Sequence, residues 1–407
     1  VQETTCCVVG GGPGGAILAL LLARQGVRVT LLERHSDFDR DFRGDTVHPA
    51  TMEIMDQLGL AGRLLEIPHS KIRALSLVTP SGTLRLADLG RLRTRYPYVT
   101  MMPQVKFLEF VTREAARYPE FELIMGARVQ ELLVEEGAGA GAVRGVRYRT
   151  RDGEGTIRAA LTVGADGRYS TVRKLADLEA VTNSAPIDVV WFRLPREPDD
   201  PAESGAGYLR AGRAMVLLDR GSEWQIAFII LKGTFQELKN AGIEAFRREI
   251  AATIPALAGR TELLSDWNQV TMLSVAASRV RRWYRPGLLL IGDAAHVMSP
   301  VAGVGINYAI QDAVEAANVL TAPLKDGRLR TEHLAQVQRR REWPTKVIQA
   351  MQAMILRRII AAALESAGPV KLPIGLRIIS RIPGLRNLPG YMIAFGVRRA
   401  RLEPPPA

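Results

Sequence analysis

The stretch Cys6-Cys7-Val8-Val9-Gly10-Gly11-Gly12-Pro13-Gly14-Gly15-Ala16-Ile17-Leu18-Ala19-Leu20 decides the architecture. An apolar run of β type stops at a glycine cluster, and Ala16 to Ala23 then has the composition of a helix. A second apolar run, Val27 to Leu32, ends in Glu33-Arg34. The pattern is Gly-x-Gly-x-x-Gly between strand and helix, with an acid closing the second strand, and each part has a physical task. Gly10 permits the tight turn, Gly12 lets the backbone approach a pyrophosphate, and Gly15 lets helix and strand pack closely. Pro13 and Gly14 belong to the cofactor-binding turn, and the N–H groups and dipole of the helix that follows favour phosphate charge. Glu33 can accept hydrogen bonds from ribose hydroxyls, with Arg34 beside it. The segment reads as a dinucleotide-binding unit.

Outward from this unit, 407 residues give room for two or more domains, and 47% hydrophobic content describes a globular chain. No unbroken apolar run approaches the roughly 20 residues that span a bilayer, and no signal peptide is evident. Cys6 and Cys7 are neighbours inside a buried strand and read as packing residues, which fits a reducing cytoplasm. The net charge of +12 is scattered, with no helix-turn-helix, Cys/His finger or basic-aromatic stripe. Phosphate-bearing cofactors or an anionic surface account for it better than nucleic acid does.

Further along, Pro49 to Leu58 and Pro103 to Tyr118 read as helices, and Lys71 to Leu86 as a hairpin around Pro80-Ser81-Gly82. Strands are expected at 122–124, 127–135, 142–149 and 156–163. A second block, Ile187 to Ser274, reads as a mostly antiparallel sheet interrupted by a helix at Ile243 to Ile254. Leu288 to Ile291 is a buried strand, followed by helices at Gly305 to Leu320 and about Glu332 to Leu364.

Two later motifs narrow the chemistry. One is Gly164-Ala165-Asp166-Gly167-Arg168-Tyr169-Ser170-Thr171-Val172-Arg173. The other is Gly292-Asp293-Ala294-Ala295-His296, followed by Pro300, Gly303, Gly305, Asn307, Asp312 and Ala313. With the N-terminal fingerprint, these resemble, in order, the signatures of the single-component FAD-dependent monooxygenases typified by para-hydroxybenzoate hydroxylase. The resemblance spans Val8 to Ala313. It implies an α/β fold, a Rossmann-like FAD-binding domain with an inserted, mostly antiparallel β-sheet substrate domain and C-terminal helices. The FAD domain is expected at 1–185 plus 278–330, with 71–102 joining the substrate region, the substrate sheet at 186–277, and a C-terminal helix and basic apolar tail at 331–407.

The resemblance also implies site residues. Asp293, after Gly292, binds the ribityl hydroxyls of FAD. The turn from Pro300 to Asn307 lies against the isoalloxazine ring, where Gly303 and Gly305 let the backbone approach. The N–H groups near Gly305, Ile306 and Asn307 point a positive helix end at the flavin. Asp166 serves FAD and the nicotinamide cofactor with Arg173 holding its turn, although a purely structural Asx turn competes. Arg43 contacts FAD near the ring and pyrophosphate, and Gln104 reaches the ribityl or phosphate region. No catalytic residue is certain, because the flavin performs the chemistry; Pro300 and His48 border the active site, with capping or packing as the alternative for His48. His296 reads as mainly structural, and no metal-ligand spacing is present.

The resemblance implies that NADH or NADPH reduces FAD, O₂ adds at flavin C4a, and one oxygen passes to an electron-rich carbon. The second block carries few polar groups, so the substrate is expected to be hydrophobic: an aromatic, polyketide-like, quinone-precursor or terpenoid compound. Trp191, Met215, Phe228, Ile230 and Trp267 are its lining candidates, although alternation allows only every second strand residue to face the ring. The tail is suited to cover the substrate entrance, to pair two subunits, or to touch an anionic membrane peripherally, so monomer and homodimer both stay open. Rival activities are an isoprenoid double-bond reductase, a flavin-dependent halogenase and a non-enzymatic FAD redox sensor.

Overall fold

The computed structural model describes residues 1–39, 45–135, 141–200, 205–365 and 387–404. Its first sheet has the strand order Tyr284–Arg285, Leu288–Leu290, Glu154–Gly164, Gln2–Val9, Val29–Leu32 and Phe121–Ile124, the last five parallel. A hairpin, Arg128–Glu135 with Ala142–Arg149, pairs antiparallel along Glu154–Gly164. The parallel strands are covered on both faces, which is why Val29–Leu32 and Leu288–Leu290 are unbroken apolar runs. Helix Pro13–Arg24, buried from Gly14 to Ala23, lies against helices Gln104–Ala115 and Gly305–Lys325.

The second sheet forms a roof. Its order is His296–Val297, Thr271–Val280, Ala180–Pro195, Glu223–Leu231, Arg213–Asp219, Gly205–Arg210, Ala74–Thr79 and Gly82–Asp88. All pairings are antiparallel except Gly205–Arg210 with Ala74–Thr79. Two details place this sheet relative to the first. The hairpin from Ala74 to Asp88 joins it from an early part of the chain. The His296–Val297 edge strand follows directly on the second glycine-rich turn, so one segment serves both sheets.

Helix Thr331–Ile355 runs on through a π-helical turn, Leu356–Ala361, to Glu365. Among the described residues it is the one helix long and apolar enough, by length and composition alone, to cross a membrane. The sequence reading missed this because Lys346, Arg357 and Arg358 interrupt the apolar residues. In the structure the N-terminal part of the helix packs on the protein through Leu334, Val337 and Arg341, while 28% of its most apolar 18-residue window, which includes Ile348 and Gln352, is buried.

The described end of the chain folds back. Helix Leu388–Phe395 packs on strand Gly82–Asp88 and helix Pro49–Gln57. Arg399 lies 3.3 Å from the Phe395 ring centroid and pairs with Glu53, while Glu403 pairs with Arg340. Gln57 and the Leu402 backbone exchange hydrogen bonds. The described tail is therefore occupied by the protein, and membrane contact gains no support from it; Lys371, Arg377, Arg381 and Arg386 lie outside the described residues.

His48, which precedes helix Pro49–Gln57, anchors this return. Its ring is buried and its Nδ1–H donates to the Ile393 carbonyl at 2.6 Å, since a carbonyl only accepts. Burial holds its pKa down at about 4, against the opposing pull of that carbonyl. A histidine neutral when folded and titrating at about 6.5 when unfolded stabilises fully above pH 6.5. That stability, up to about 3 kcal/mol, is lost as the pH falls from 6.5 to 4. Urea unfolding at pH 7.5 and pH 4.5 should therefore differ less for His48→Gln than for the native chain; an equal difference would refute the assignment.

Candidate active site

The N-terminal glycines divide into those that meet protein and those that meet open space. Gly10 has φ +108°, and a Cβ there would lie 2.5 Å from the Ala165 carbonyl oxygen. A Cβ on Gly15 would lie 2.0 Å from the Gly10 carbonyl oxygen. These two positions let the strand, the helix and the Ala165–Asp166 turn converge. Gly14 is buried, and a Cβ there would meet Ala309 on helix Gly305–Lys325 at 3.1 Å. Gly14 thus serves helix packing, where the sequence suggested cofactor contact. Gly12 has nothing within 4 Å of a built Cβ, and it and Pro13 are half-exposed, leaving room at the helix start for a phosphate group. Glu33 closes the second strand and accepts the Gly11 N–H at 2.9 Å and the His35 N–H at 3.0 Å. Arg34 is exposed, its Nε directed at His35.

Asp166 is a capping residue. Its carboxylate accepts Ser170 Oγ at 2.5 Å and the N–H groups of Thr171 and Val172 at 2.6 and 3.0 Å. Burial pushes the carboxyl above its ordinary range although these donors pull it down. The donors lie four to six residues ahead rather than the two of an Asx turn, so the carboxylate braces the start of helix Thr171–Leu175, whose N-cap is Ser170. Arg173 donates to the Arg168 and Ala294 carbonyls, both at 3.3 Å, tying this turn to the Gly292–Ala294 turn.

The Gly292–Ala294 turn rests on a buried charge. Asp312 accepts the Gly292 N–H at 3.0 Å, His296 Nε2 at 2.6 Å and Arg341 Nε at 2.7 Å. Burial alone would raise the Asp312 carboxyl, but His296 and Arg341 outweigh it and hold it below the ordinary carboxylate range. His296 is structural in this arrangement, its ring 4.9 Å from Trp283. Asp293 follows Gly292 and is half-buried. Gly292 has φ +59°, and a Cβ there would press on Ala309 at 2.9 Å.

The third turn is Pro300–Gly303. Ala302 and Gly303 both sit in the left-handed region, at φ +64° and +61°. For alanine that conformation costs about 1 kcal/mol or more. Thr46 Oγ1 donates to the Gly303 carbonyl at 3.1 Å. Asn307 uses its whole side chain as a clamp: Oδ1 accepts the His48 N–H at 2.9 Å and Thr51 Oγ1 at 2.8 Å, while Nδ2 faces the Thr46 and Gly303 carbonyls. Pro300, Gly303, Gly305 and Ile306 are half-exposed, and the first-turn N–H groups of helix Gly305–Lys325 have no intrahelical acceptor. Gln104 opens its helix on Asp45, whose Oδ1 takes its N–H at 3.2 Å. Asp45 also meets Arg220 of the roof at 2.8 Å. Arg43 lies outside the described residues.

The roof corrects most of the substrate candidates. Pairing puts Val190, Phe228 and Met215 at one level across three strands, and Trp191, Ala227 and Val216 at the next. Met215, Phe228 and Ile230 join Phe246 and Ile250 in the core beneath helix Ile243–Thr253, and Trp267 stacks on Phe246 at 5.3 Å. These four face away from the Pro300–Gly303 turn. Trp191 lies on the opposite face, in a cluster with Val189, Ala227, Ile229, Leu273 and Val301. The strand Glu223–Leu231 is buried on both faces, so composition could not choose between them.

Arg341 escaped the sequence reading because Arg339 and Arg340, which are exposed and half-exposed, look identical to it in the chain. Gln352 and Thr46 carried no signal at all.

A family described as an FAD binding domain matches residues 3–351. The chain is 35% identical over 393 residues to 6-methylpretetramide 4-monooxygenase of Streptomyces rimosus, covering 96% of this chain and 91% of that protein. It is 28% identical to rifampicin monooxygenase of Streptomyces venezuelae over 78% of this chain and 65% of that one. Among solved structures, Pseudomonas aeruginosa PqsL in complex with 2-aminobenzoylacetate superposes with TM-score 0.76 at 23% identity, covering 89% of this chain and 97% of the other. OxyS anhydrotetracycline hydroxylase from Streptomyces rimosus superposes with TM-score 0.74 at 22% identity, over 97% and 76%. At these identities the superpositions establish the fold, and the family match and the sequence relatives carry the chemistry. The chain belongs to the para-hydroxybenzoate hydroxylase-like family of single-component, FAD-dependent monooxygenases.

Proposed function

We propose that this monooxygenase hydroxylates an uncharged, flat, polycyclic aromatic substrate of polyketide type, held between the roof face carrying Trp191 and the Pro300–Gly303 turn, in the cytoplasm. The observation that carries the proposal is the character of that face. Val189, Trp191, Ala227, Ile229 and Leu273 form one apolar surface beside Val301, with Arg193 following Trp191 at the next position on the same strand face. The Trp191 indole N–H is buried without a partner among the described residues, and a substrate carbonyl or phenol oxygen would satisfy it. The relative that hydroxylates 6-methylpretetramide supports the same substrate class.

The residues fit FAD. Open space at Gly12 suits the pyrophosphate, Glu33 at the end of the second strand would take the ribose hydroxyls, and Asp293 would hold the ribityl chain from a turn fastened by Asp312. When bound, FAD supplies the redox chemistry, accepting hydride from NADH or NADPH and activating O₂. The protein's part is placement and charge. The first-turn N–H groups at Gly305, Ile306 and Asn307 would stabilise negative charge developing on the ring, and the apolar roof would exclude water. Asp166 and Arg173 then serve mainly to hold the turn against the cofactor site.

Three outcomes are expected. In a substrate panel, neutral fused-ring aromatics should stimulate NAD(P)H oxidation with matching oxygenated product, independent of chloride or bromide; preference for small carboxylated phenols would overturn the substrate class. Trp191→Ala should raise KM at least several-fold. Phe228→Ala, on the other face, should cost about 3–5 kcal/mol of stability while the folded enzyme keeps its KM. Asp293→Ala should weaken FAD binding about tenfold or more, measured by quenching of flavin fluorescence.

A further inference from the structure

Helix Thr331–Ile355 carries a polar seam. Gln338, Arg341, Thr345, Gln349 and Gln352 recur at intervals of three or four, so they share one face. Gln338, Arg341, Thr345 and Gln352 are buried, an expensive placement for polar groups in a helix. Three of the five, Arg341, Gln349 and Gln352, are directed at the chain around the cofactor turns, and Gln338 is directed at the Arg281–Trp283 segment. Gln338 accepts the Trp283 N–H at 2.9 Å and donates to the Arg281 carbonyl at 2.8 Å. Arg341 reaches Asp312, and Gln349 donates to the Ser278 and Val297 carbonyls, both at 3.0 Å. Gln352 Oε1 accepts the Ser299 N–H at 3.2 Å, while Nε2 donates to the Ser299 carbonyl at 3.0 Å and the Val301 carbonyl at 2.8 Å.

From this geometry we infer that Gln352 is a positioning residue for the flavin-facing turn, and that helix Thr331–Ile355 is a working part of the cofactor site. One amide brackets the turn from Ser299 to Val301, immediately before Ala302. Ala302 holds a backbone conformation that L residues adopt reluctantly. Such a conformation persists only where its surroundings over-determine it. Asn307 and Thr46 hold the far side through Gly303, and Gln352 holds the near side. Locally the turn is held by the Gly303 N–H on the Pro300 carbonyl at 3.1 Å and the Val301 N–H on Ser299 Oγ at 3.2 Å, while the Ser299 backbone, outside sheet and helix, takes Gln352 as its partner. Gln352 touches neither flavin nor substrate in this scheme; it acts through the turn.

The inference rests on the flavin lying against residues 300–305, and the experiment separates the two. Holoenzyme variants Gln352→Met, Gln338→Leu and Gly303→Ala are compared by FAD dissociation constant, the visible absorption and circular dichroism of bound flavin, and thermal midpoint. Gln352→Met should shift the flavin spectrum, raise flavin fluorescence and weaken FAD binding about tenfold. Gln338→Leu, at the other end of the seam, should lower the thermal midpoint and leave the spectrum and affinity alone. A spectrum unchanged in Gln352→Met but altered in Gly303→Ala would overturn the role of Gln352. A spectrum unchanged in both would overturn the placement of the flavin. Equal spectral changes in Gln352→Met and Gln338→Leu would reduce the seam to general stability. Should Gln352→Met fail to fold, Gln352→Asn keeps the amide but falls one methylene short of Val301; the same shift, smaller, is expected, and its absence would equally refute the role.

Discussion

Two carbonyl oxygens and two absent side chains govern the N-terminal half of this protein. The Gly10 carbonyl lies where any Cβ on Gly15 would have to go, and the Ala165 carbonyl lies where one on Gly10 would have to go. Strand Gln2–Val9, helix Pro13–Arg24 and the end of strand Glu154–Gly164 therefore meet at van der Waals distance of their backbones. Parallel pairing of Val9 with Gly164 puts the Asp166 turn and the glycine-rich turn at the same end of the sheet, the end at which such sheets bind ligands, and that closeness lets the two turns touch.

Around that junction the molecule repeats one device, a polar side chain that takes a turn's backbone as its partner. Asp166 caps helix Thr171–Leu175, Asp312 fastens Gly292, Asn307 clasps the 46–51 segment, and Gln352 brackets Ser299 and Val301. Turns that approach a cofactor cannot spend their N–H and C=O groups on a sheet ladder, so side chains must satisfy them. The cost is burial of charge at Asp312, offset by Arg341 and His296 on opposite sides of the carboxylate. Asp166 and Asn307, which the motifs present as cofactor ligands, spend their side chains on neighbouring turns.

The roof shows a different balance. Its central strands are apolar on both faces because one face closes over helix Ile243–Thr253 and the other over Val301 and the π-helical turn. A substrate surface on such a sheet has no compositional signature. Trp191, half-buried, and Phe228, buried, are both large and aromatic, and a single step in register separates a lining residue from a core residue.

What the sequence alone determined is local: a strand, a glycine turn and a helix within some 25 residues, and the two later motifs, because those positions need a missing Cβ or a helix start wherever they occur. The order of motifs then carried the family, the cofactor and the class of reaction. Tertiary structure decided which face of the roof looks toward the turn, that Gly14 and Asp166 serve packing and capping, and that the described end of the chain returns to pack on helix Pro49–Gln57. It also chose Arg341 from three consecutive arginines and Gln352 from an unremarkable helix. Those choices join residues dozens of positions apart through single hydrogen bonds, and neither periodicity nor composition encodes a partner at that distance.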